Sequence, residues 1–400
     1  MPLGRSPRFI ILLVLVTVLA PVSMQMFLPA LPAIQKGFAT SPATAQLTLT
    51  LAMVAIGVAT LVFGPLSDRF GRKPVLLAGI VLFMAGSVVA ALATSIGMLI
   101  AGRIVQAAGA SVGIVLARAM ARDVYGFAQS VRVISYLTMV MVVAPMVSPA
   151  LGGVITDSFG WRTIFWLMCV IGIVTALGVW LGLAETHPVR TDAGWRSLIE
   201  GSRVLLATRR YMGYALLSTS ALCVFFAFLG AAPYLMAEIL HRPARDYGFW
   251  FMPVAGLFIV GTFCSTRVLD RFGPDRLIRA ATIWCGAAVA LSLPLFYLLP
   301  LSAPLLFLPA ILISFIQGFI IPNCQASAIN VDPRYAGAGS GLVGFLQMVV
   351  SAAVVQAVGH LADGSPWPML GFMVAAAAAG IAVLPMIRKM REPAAEAGTA

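Results

Sequence analysis

Charge is scarce in this chain. Only 10% of its 400 residues are Asp, Glu, Lys or Arg, and the carboxylates number 14. None of those carboxylates falls deep inside a long apolar run: Asp157, Glu185 and Glu238 stand at run ends, and Asp123 follows one. Histidine is scarcer still, with His187, His241 and His360 scattered among the polar segments. Without a His/Asp/Glu cluster there is nothing to bind a metal or run acid–base chemistry, so the sequence reads as neither an enzyme nor a cofactor protein. The five cysteines (Cys169, Cys223, Cys264, Cys285, Cys324) lack metal-site or disulfide spacing and read as small packing residues.

What is present is apolar surface. The chain is 60% hydrophobic with a mean hydropathy of +0.99, beyond what a soluble domain can cover. A helix crosses a bilayer with roughly 20 apolar residues. Uncharged intervals of that length recur at 37–67, 133–156, 163–184 and 211–237, and the interval 280–331 holds two, parted by Pro300–Pro304. Twelve spans are expected, near 9–31, 43–66, 74–93, 97–121, 130–155, 161–183, 211–236, 247–266, 277–299, 304–329, 337–359 and 367–387. The fold class is therefore all-α integral membrane, and an even count puts both termini on one side.

Net charge is +12, yet no nucleic-acid partner is needed to explain it. With the N-terminus in the cytoplasm, Lys36, Arg162, Arg242 and Arg245 fall outside, Arg103 falls within a span, and the other 21 of 26 basic residues are cytoplasmic (26 − 4 − 1). That is the positive-inside bias. Arg5 and Arg8 before an apolar run could open a secretory signal, but the run continues through Leu28-Pro29-Ala30-Leu31-Pro32 and reads as an uncleaved first span.

One stretch interrupts the apolar pattern: Gly64-Pro65-Leu66-Ser67-Asp68-Arg69-Phe70-Gly71-Arg72-Lys73-Pro74, a charged turn between spans 2 and 3. Its core returns as Asp270-Arg271-Phe272-Gly273, about half a chain later, which points to a duplicated protein of two bundles. Polar residues inside spans are the next candidates, because an amide or charge at membrane depth needs a partner or water. Gln25 in span 1 is either interhelical glue or a cavity residue. In span 4, Arg103 shares a face with Gln106 and the small Ala107 and Ala110. A lone intramembrane Arg is a functional-site hypothesis, the alternative being snorkelling to the interface. Span 5 carries small residues at Ala144, Ser148 and Gly152, a stripe for close helix approach. Span 7 is aromatic (Phe225, Phe228), span 10 holds Gln317 and Asn323, and span 11 holds Gln347. Residues 195–208 suit an amphipathic helix on the membrane surface.

These motifs resemble the major facilitator superfamily, and within it the Bcr/CflA type of drug-resistance exporter. The Gly64–Pro74 stretch matches the superfamily's loop signature. Arg103-Ile104-Val105-Gln106-Ala107-Ala108-Gly109-Ala110 resembles its span-4 pattern, with Ala107 in place of a Gly. Ala144, Ser148, Pro149, Gly152 and Gly153 resemble the antiporter pattern of span 5, with Ala and Ser where glycines are usual. The resemblance implies two six-helix bundles related by a pseudo-two-fold axis, rocking around a cavity lined by spans 1, 4, 7 and 10. Gln25, Arg103, Gln106, Phe225, Phe228, Gln317, Asn323 and Gln347 are then candidate cavity residues. It also implies a cytoplasmic latch from Gly64, Asp68, Arg69, Gly71, Arg72, Asp123, Asp270 and Arg271. In that latch Asp68 meets the start of span 11 and Arg72 meets Asp123, closing the cytoplasmic side of the outward-open state. Gln25 stands where such proteins carry an acid, which leaves Asp123 and Glu238 as possible proton carriers.

The expectation that follows is a transporter with residues 1–184 and 211–392 as its bundles, 185–210 as a cytoplasmic central loop and 393–400 as a cytoplasmic tail. It would be a monomer in a bacterial inner membrane, both termini cytoplasmic, with the lipid bilayer, protons and a small-molecule substrate as partners. It would export drug-like, mostly apolar, neutral or weakly anionic compounds, drawing on the proton gradient and no cofactor. An importer or facilitator of a small nutrient or metabolite is the alternative, and the span-5 pattern favours export.

Overall fold

Long uncharged runs can satisfy their backbone in lipid only as helices or closed barrels. In the computed structural model, which describes residues 7–187 and 193–387, these runs are helical. Twelve helices among the described residues are long and apolar enough to cross a membrane. They are α1 (Pro7–Gly37), α2 (Pro42–Phe70), α3 (Arg72–Ala91), α4 (Ile96–Gly126), α5 (Tyr136–Phe159), α6 (Arg162–Gly182), α7 (Arg209–Ile239), α8 (Ala244–Phe272), α9 (Pro274–Leu298), α10 (Ala303–Ile329), α11 (Pro333–His360) and α12 (Trp367–Ile387). A separate linker helix, Ala193–Ala207, joins the halves. The expected tail at 393–400 lies outside the described residues.

The expected seven-residue turn after span 2 is much shorter in the structure. Helix α2 runs through Asp68 and Arg69 to Phe70, and α3 starts at Arg72, so Gly71 alone is the connection. Its φ of 101° lies where only glycine is at ease. The charges fit on helix because α2 outlasts the apolar run. The second half repeats this at Gly273, φ 73°, between Phe272 and Pro274. Chain geometry thus carries the duplication further than the shared four residues do. We call this the loop end of the bundle, and the other the far end.

Burial separates centre from rim. In its most apolar window α7 is 72% buried and α4 61%, against 33% for α6 and for α12. The rim helices instead expose Val174, Leu177, Trp180 and Leu181 on α6, and Trp284 and Leu291 on α9, an apolar face suited to lipid. Serine caps start three helices: the Ser41, Ser95 and Ser302 hydroxyls accept from the N–H groups of Thr44, Met98 and Leu305.

Candidate functional site

At the loop end, Arg72 is the hub. It is buried, with Nε 3.1 Å from Asp123 Oδ2 on α4 and Nη1 2.7 Å from Asp68 Oδ1 on α2. The same guanidinium donates to the Ser67 hydroxyl. The first turn of α3 is capped from outside: Glu185, just past α6, accepts from the N–H groups of Arg72 at 3.0 Å and Lys73 at 3.1 Å. Partial burial acts to raise the Glu185 pKa. The N–H groups of His187, Arg72, Lys73 and Thr186 outweigh it and hold the carboxyl below its ordinary value. Arg69 lies over the Phe70 ring. At Gly64 an added Cβ would meet nothing nearer than Val115 at 3.9 Å, so that position is not crowded.

The latch implied by resemblance is only half present. Arg72 and Asp123 do meet, inside the first half. Asp68 meets Arg72 and the start of the linker helix, where a Cβ at Gly194 would lie 2.7 Å from Asp68 Oδ2; a contact with the start of α11 is not what the structure shows. The linker helix takes up that space. Its Glu200 accepts from the Tyr335 hydroxyl at 3.0 Å, and Gly201 packs against Tyr335 and Ala338 of α11. In the second half, Asp270 and Arg271 are exposed. The counterpart ion pair is made by residues outside the expected latch: Asp275 in the first turn of α9 is 3.2 Å from Arg210 and accepts from the Tyr214 hydroxyl. Asp275 stands after Pro274, near the point where the first half has Arg72-Lys73, so the sign of the hub is reversed.

The interior candidates fall into two groups, one in each half. Arg103 is 1% exposed. It donates to the carbonyls of Ser23 on α1 and Thr48 on α2 and, at 2.6 Å, to Gln106 Oε1; Gln106 Nε2 donates to Ser87 on α3. Its guanidinium also lies 4.4 Å from the Phe27 ring centroid and 5.9 Å from that of Phe165 on α6. In this conformation Arg103 therefore ties five helices of the first half together. Gln25 is buried too, and its Oε1 has no hydrogen-bond partner. In the second half Gln317 donates to the Ala221 carbonyl, Asn323 to the Ser265 hydroxyl, and Gln347 accepts from Gln325. Phe228 meets Phe307 edge-on, and Phe225 packs against Phe226 and Phe251. Most of these side chains face neighbouring helices of their own half.

The span-5 residues act at the far end. Ser148 turns its hydroxyl back onto the Ala144 carbonyl, and Pro149 follows it. Gly152 leaves no room for a Cβ against the Met26 carbonyl of α1. At Gly153 a Cβ would come 2.5 Å from the Ala244 carbonyl oxygen of α8, so the two halves touch through bare backbone there. One turn on, Asp157 accepts from the N–H groups of Ala244 at 3.1 Å and Arg245 at 2.9 Å, capping α8 from the opposite half. Alongside, Gln46 Nε2 donates to the Gly230 carbonyl, Thr50 to Gln356 Oε1, and Gln356 Nε2 to the Ala43 carbonyl. Asp157, Gln46, Thr50 and Gln356 were not singled out from sequence; small polar residues at span ends carry no signal until their partners are known.

Comparison with known proteins agrees with this architecture. Residues 13–355 match the family model described as Major Facilitator Superfamily. The chain is 29% identical to a Haemophilus influenzae protein named bicyclomycin resistance protein homolog, covering 90% of this chain and 91% of that one. It is 31% identical to the Bacillus subtilis protein named uncharacterized MFS-type transporter YdgK, with 92% of each covered. It is 26% identical to Escherichia coli multidrug resistance protein D, with 88% of each covered. Among solved structures, a bacterial homolog of the human lysosomal transporter Spinster, in an inward-facing and unoccupied conformation, aligns with a TM-score of 0.71 at 15% identity over 94% of both chains. The xylose transporter XylE from E. coli, partially occluded and inward open, aligns with a TM-score of 0.70 at 14% identity, over 94% of this chain and 96% of that one. The chain is a multi-pass transporter of the major facilitator superfamily, similar throughout its length to the drug-resistance members of the Bcr/CflA type.

Proposed function

We propose that the protein exports small, drug-like, mostly apolar compounds, neutral or weakly anionic, by alternating access driven by proton antiport. The observation that carries the reading is the difference between the two ends. At the far end the halves are tied together by Asp157, Gln46, Thr50 and Gln356. At the loop end the Arg72 cluster stays within one half and Asp68 faces the linker helix. Such an arrangement suits a state that loads from the loop end. The positive-inside bias makes that end cytoplasmic, in a bacterial inner membrane, and a monomer suffices.

The names of the relatives support drug export. The interior chemistry supports the substrate class: amides, hydroxyls and aromatic rings are adaptable toward apolar compounds, and Arg103 has no carboxylate beside it to offset an anion's attraction. Proteoliposomes of the full chain test the reading. Export of a panel of lipophilic neutral and weakly acidic dyes is expected to rise severalfold under an imposed pH gradient. Dye flux indifferent to the gradient overturns proton coupling, and gradient-driven accumulation of a sugar or amino acid in place of the dyes overturns export.

A further inference from the structure

Two amides cross between the halves at the far end, and they are not equivalent. Ala43, Gln46 and Thr50 share one face of α2, at i, i+3 and i+7. That face meets Gln356 and Gly359 of α11 and Gly230 of α7. Gln356 reaches from the second half to the first with both ends of its amide engaged. Its Oε1 accepts from the Thr50 hydroxyl at 2.9 Å, and its Nε2 donates to the Ala43 carbonyl at 2.9 Å. Gln46 reaches the other way with one end engaged. Its Nε2 donates to the Gly230 carbonyl at 2.6 Å; a carbonyl only accepts, so the amide's orientation is fixed and Oε1 is left without a hydrogen-bond partner.

What faces that oxygen is Gly359. A Cβ there would fall on Gln46 Oε1 and lie 2.5 Å from Gln46 Cδ, so the amide fills the place of a side chain on α11. The oxygen meets the Cα hydrogen that a glycine has instead of Cβ, which is a weak donor. Gln46 as a whole is 1% exposed. A cavity of ≈ 120 Å³ runs alongside, with Glu238 on its wall, but Oε1 has no surface open to it. Buried polar atoms are rarely left so.

A buried acceptor without a partner costs more than one ordinary hydrogen bond returns, and here both effects belong to one side chain. We propose that Gln46 is a release contact. Seated in the socket between Gly230 and Gly359, it makes the joined far end less stable than an apolar side chain of its size would, and its oxygen regains water when the halves part. Gln356, Thr50 and Asp157 hold the joint; Gln46 limits how firmly it is held. The bond to Gly230 fixes where the amide sits, and the missing side chain of Gly359 makes room for it. The proposal needs only that the halves part at this end, whatever the cargo or the coupling ion.

The test reads far-end opening without cargo, by thiol labelling of Met236→Cys in the full chain stripped of its five native cysteines. Met236 is 1% exposed and lines the other far-end cavity, between the halves. Gln46→Met keeps the length of the side chain and removes both amide ends; it is expected to slow labelling severalfold without lowering the thermal midpoint. Gln356→Met is expected to speed labelling severalfold. Opposite signs are the signature. A Gln46 that merely ties the halves would speed labelling when replaced, as Gln356 does, and that result or an unchanged rate overturns the proposal. If Gln46→Met does not fold, Gln46→Leu takes its place with the same expectation. Gly359→Ala evicts the amide, which leaves its seat only by giving up Gly230, so labelling should speed up. In a Gln46→Ala background the same substitution should change nothing, and an equal effect in both backgrounds overturns the socket. Opposite signs in a protein whose proteoliposomes export no dye leave this inference standing and overturn the function proposed above instead.

Discussion

Arg72 Nε lies 3.1 Å from the Asp123 carboxylate, joining the first turn of α3 to the last turn of α4 at the loop end, within one half of the molecule. The pair is mostly shielded, with side-chain exposures of 10% and 19%. It therefore sets the angle between neighbouring helices at the loop end whatever the two halves do. The polar contacts that join the two halves are elsewhere, at the far end.

Removing either partner should cost about 1.5–3 kcal/mol, the scale of a hydrogen bond to a charged group. Arg72→Asp alone and Asp123→Arg alone are expected to lower the thermal midpoint and remove export. The double exchange should recover much of both; no recovery in dye export or unfolding temperature would count against the pair.

At the far end, Asp157→Asn removes the charge that faces the α8 N-terminus, an interaction of about 0.3–1 kcal/mol, and is expected to loosen the joint modestly. Gly153→Leu should open it further, because side-chain volume would press on Ala244 and Arg245. Thiol labelling of Met236→Cys, which lines a neighbouring far-end cavity of ≈ 400 Å³, reads this out in a background free of the five native cysteines. Labelling should rise from wild type to Asp157→Asn to Gly153→Leu.

Glu185 gives a pH dependence of definite sign. Its folded-state pKa is depressed, so its stabilisation is complete above the unfolded carboxyl value of about 4.3 and is lost as pH falls through the lower folded value. Glu185→Gln should therefore be less stable than the parent at pH 7, and the gap should close in acid. Thermal unfolding of both proteins between neutral and acid pH measures it; a gap that widens in acid contradicts the assignment.

Arg103→Lys keeps the charge but cannot reproduce the guanidinium's reach to Ser23, Thr48 and Gln106 at once. It should lower the thermal midpoint by an amount worth about 1–3 kcal/mol, as for an unsatisfied buried partner. Arg103→Ala should do at least as much harm. Export that fails in both variants at full stability would instead point to direct contact with the cargo.

Helix-forming runs, their number and the duplication were legible in the sequence because lipid leaves the backbone few choices. Gln25, Arg103 and Gln317 stood out for the same reason, as polar groups where no water is available. Direction is what one sequence does not carry. Arg103 could have faced a cavity or its own bundle, and its partners on α1 and α2 are the backbone carbonyls of Ser23 and Thr48, groups that every residue carries and no sequence pattern marks. Asp157 shows the converse. It read as one more span-end carboxylate, and its role appears only when α8 of the other half starts beside it.

The sequence by itself determined the class, the twelve spans, the charged stretch at 64–74 with its partial copy at 270–273 and the family resemblance, all of which follow from local composition and spacing. Tertiary structure decided which ends of the halves touch, that Asp68 meets the linker helix, that Asp275 replaces the copied loop as the second hub, and that Glu238 opens onto a small cavity. Those outcomes depend on pairings between residues up to hundreds of positions apart, such as Thr50 with Gln356, and such pairings are settled by packing, which no local pattern encodes.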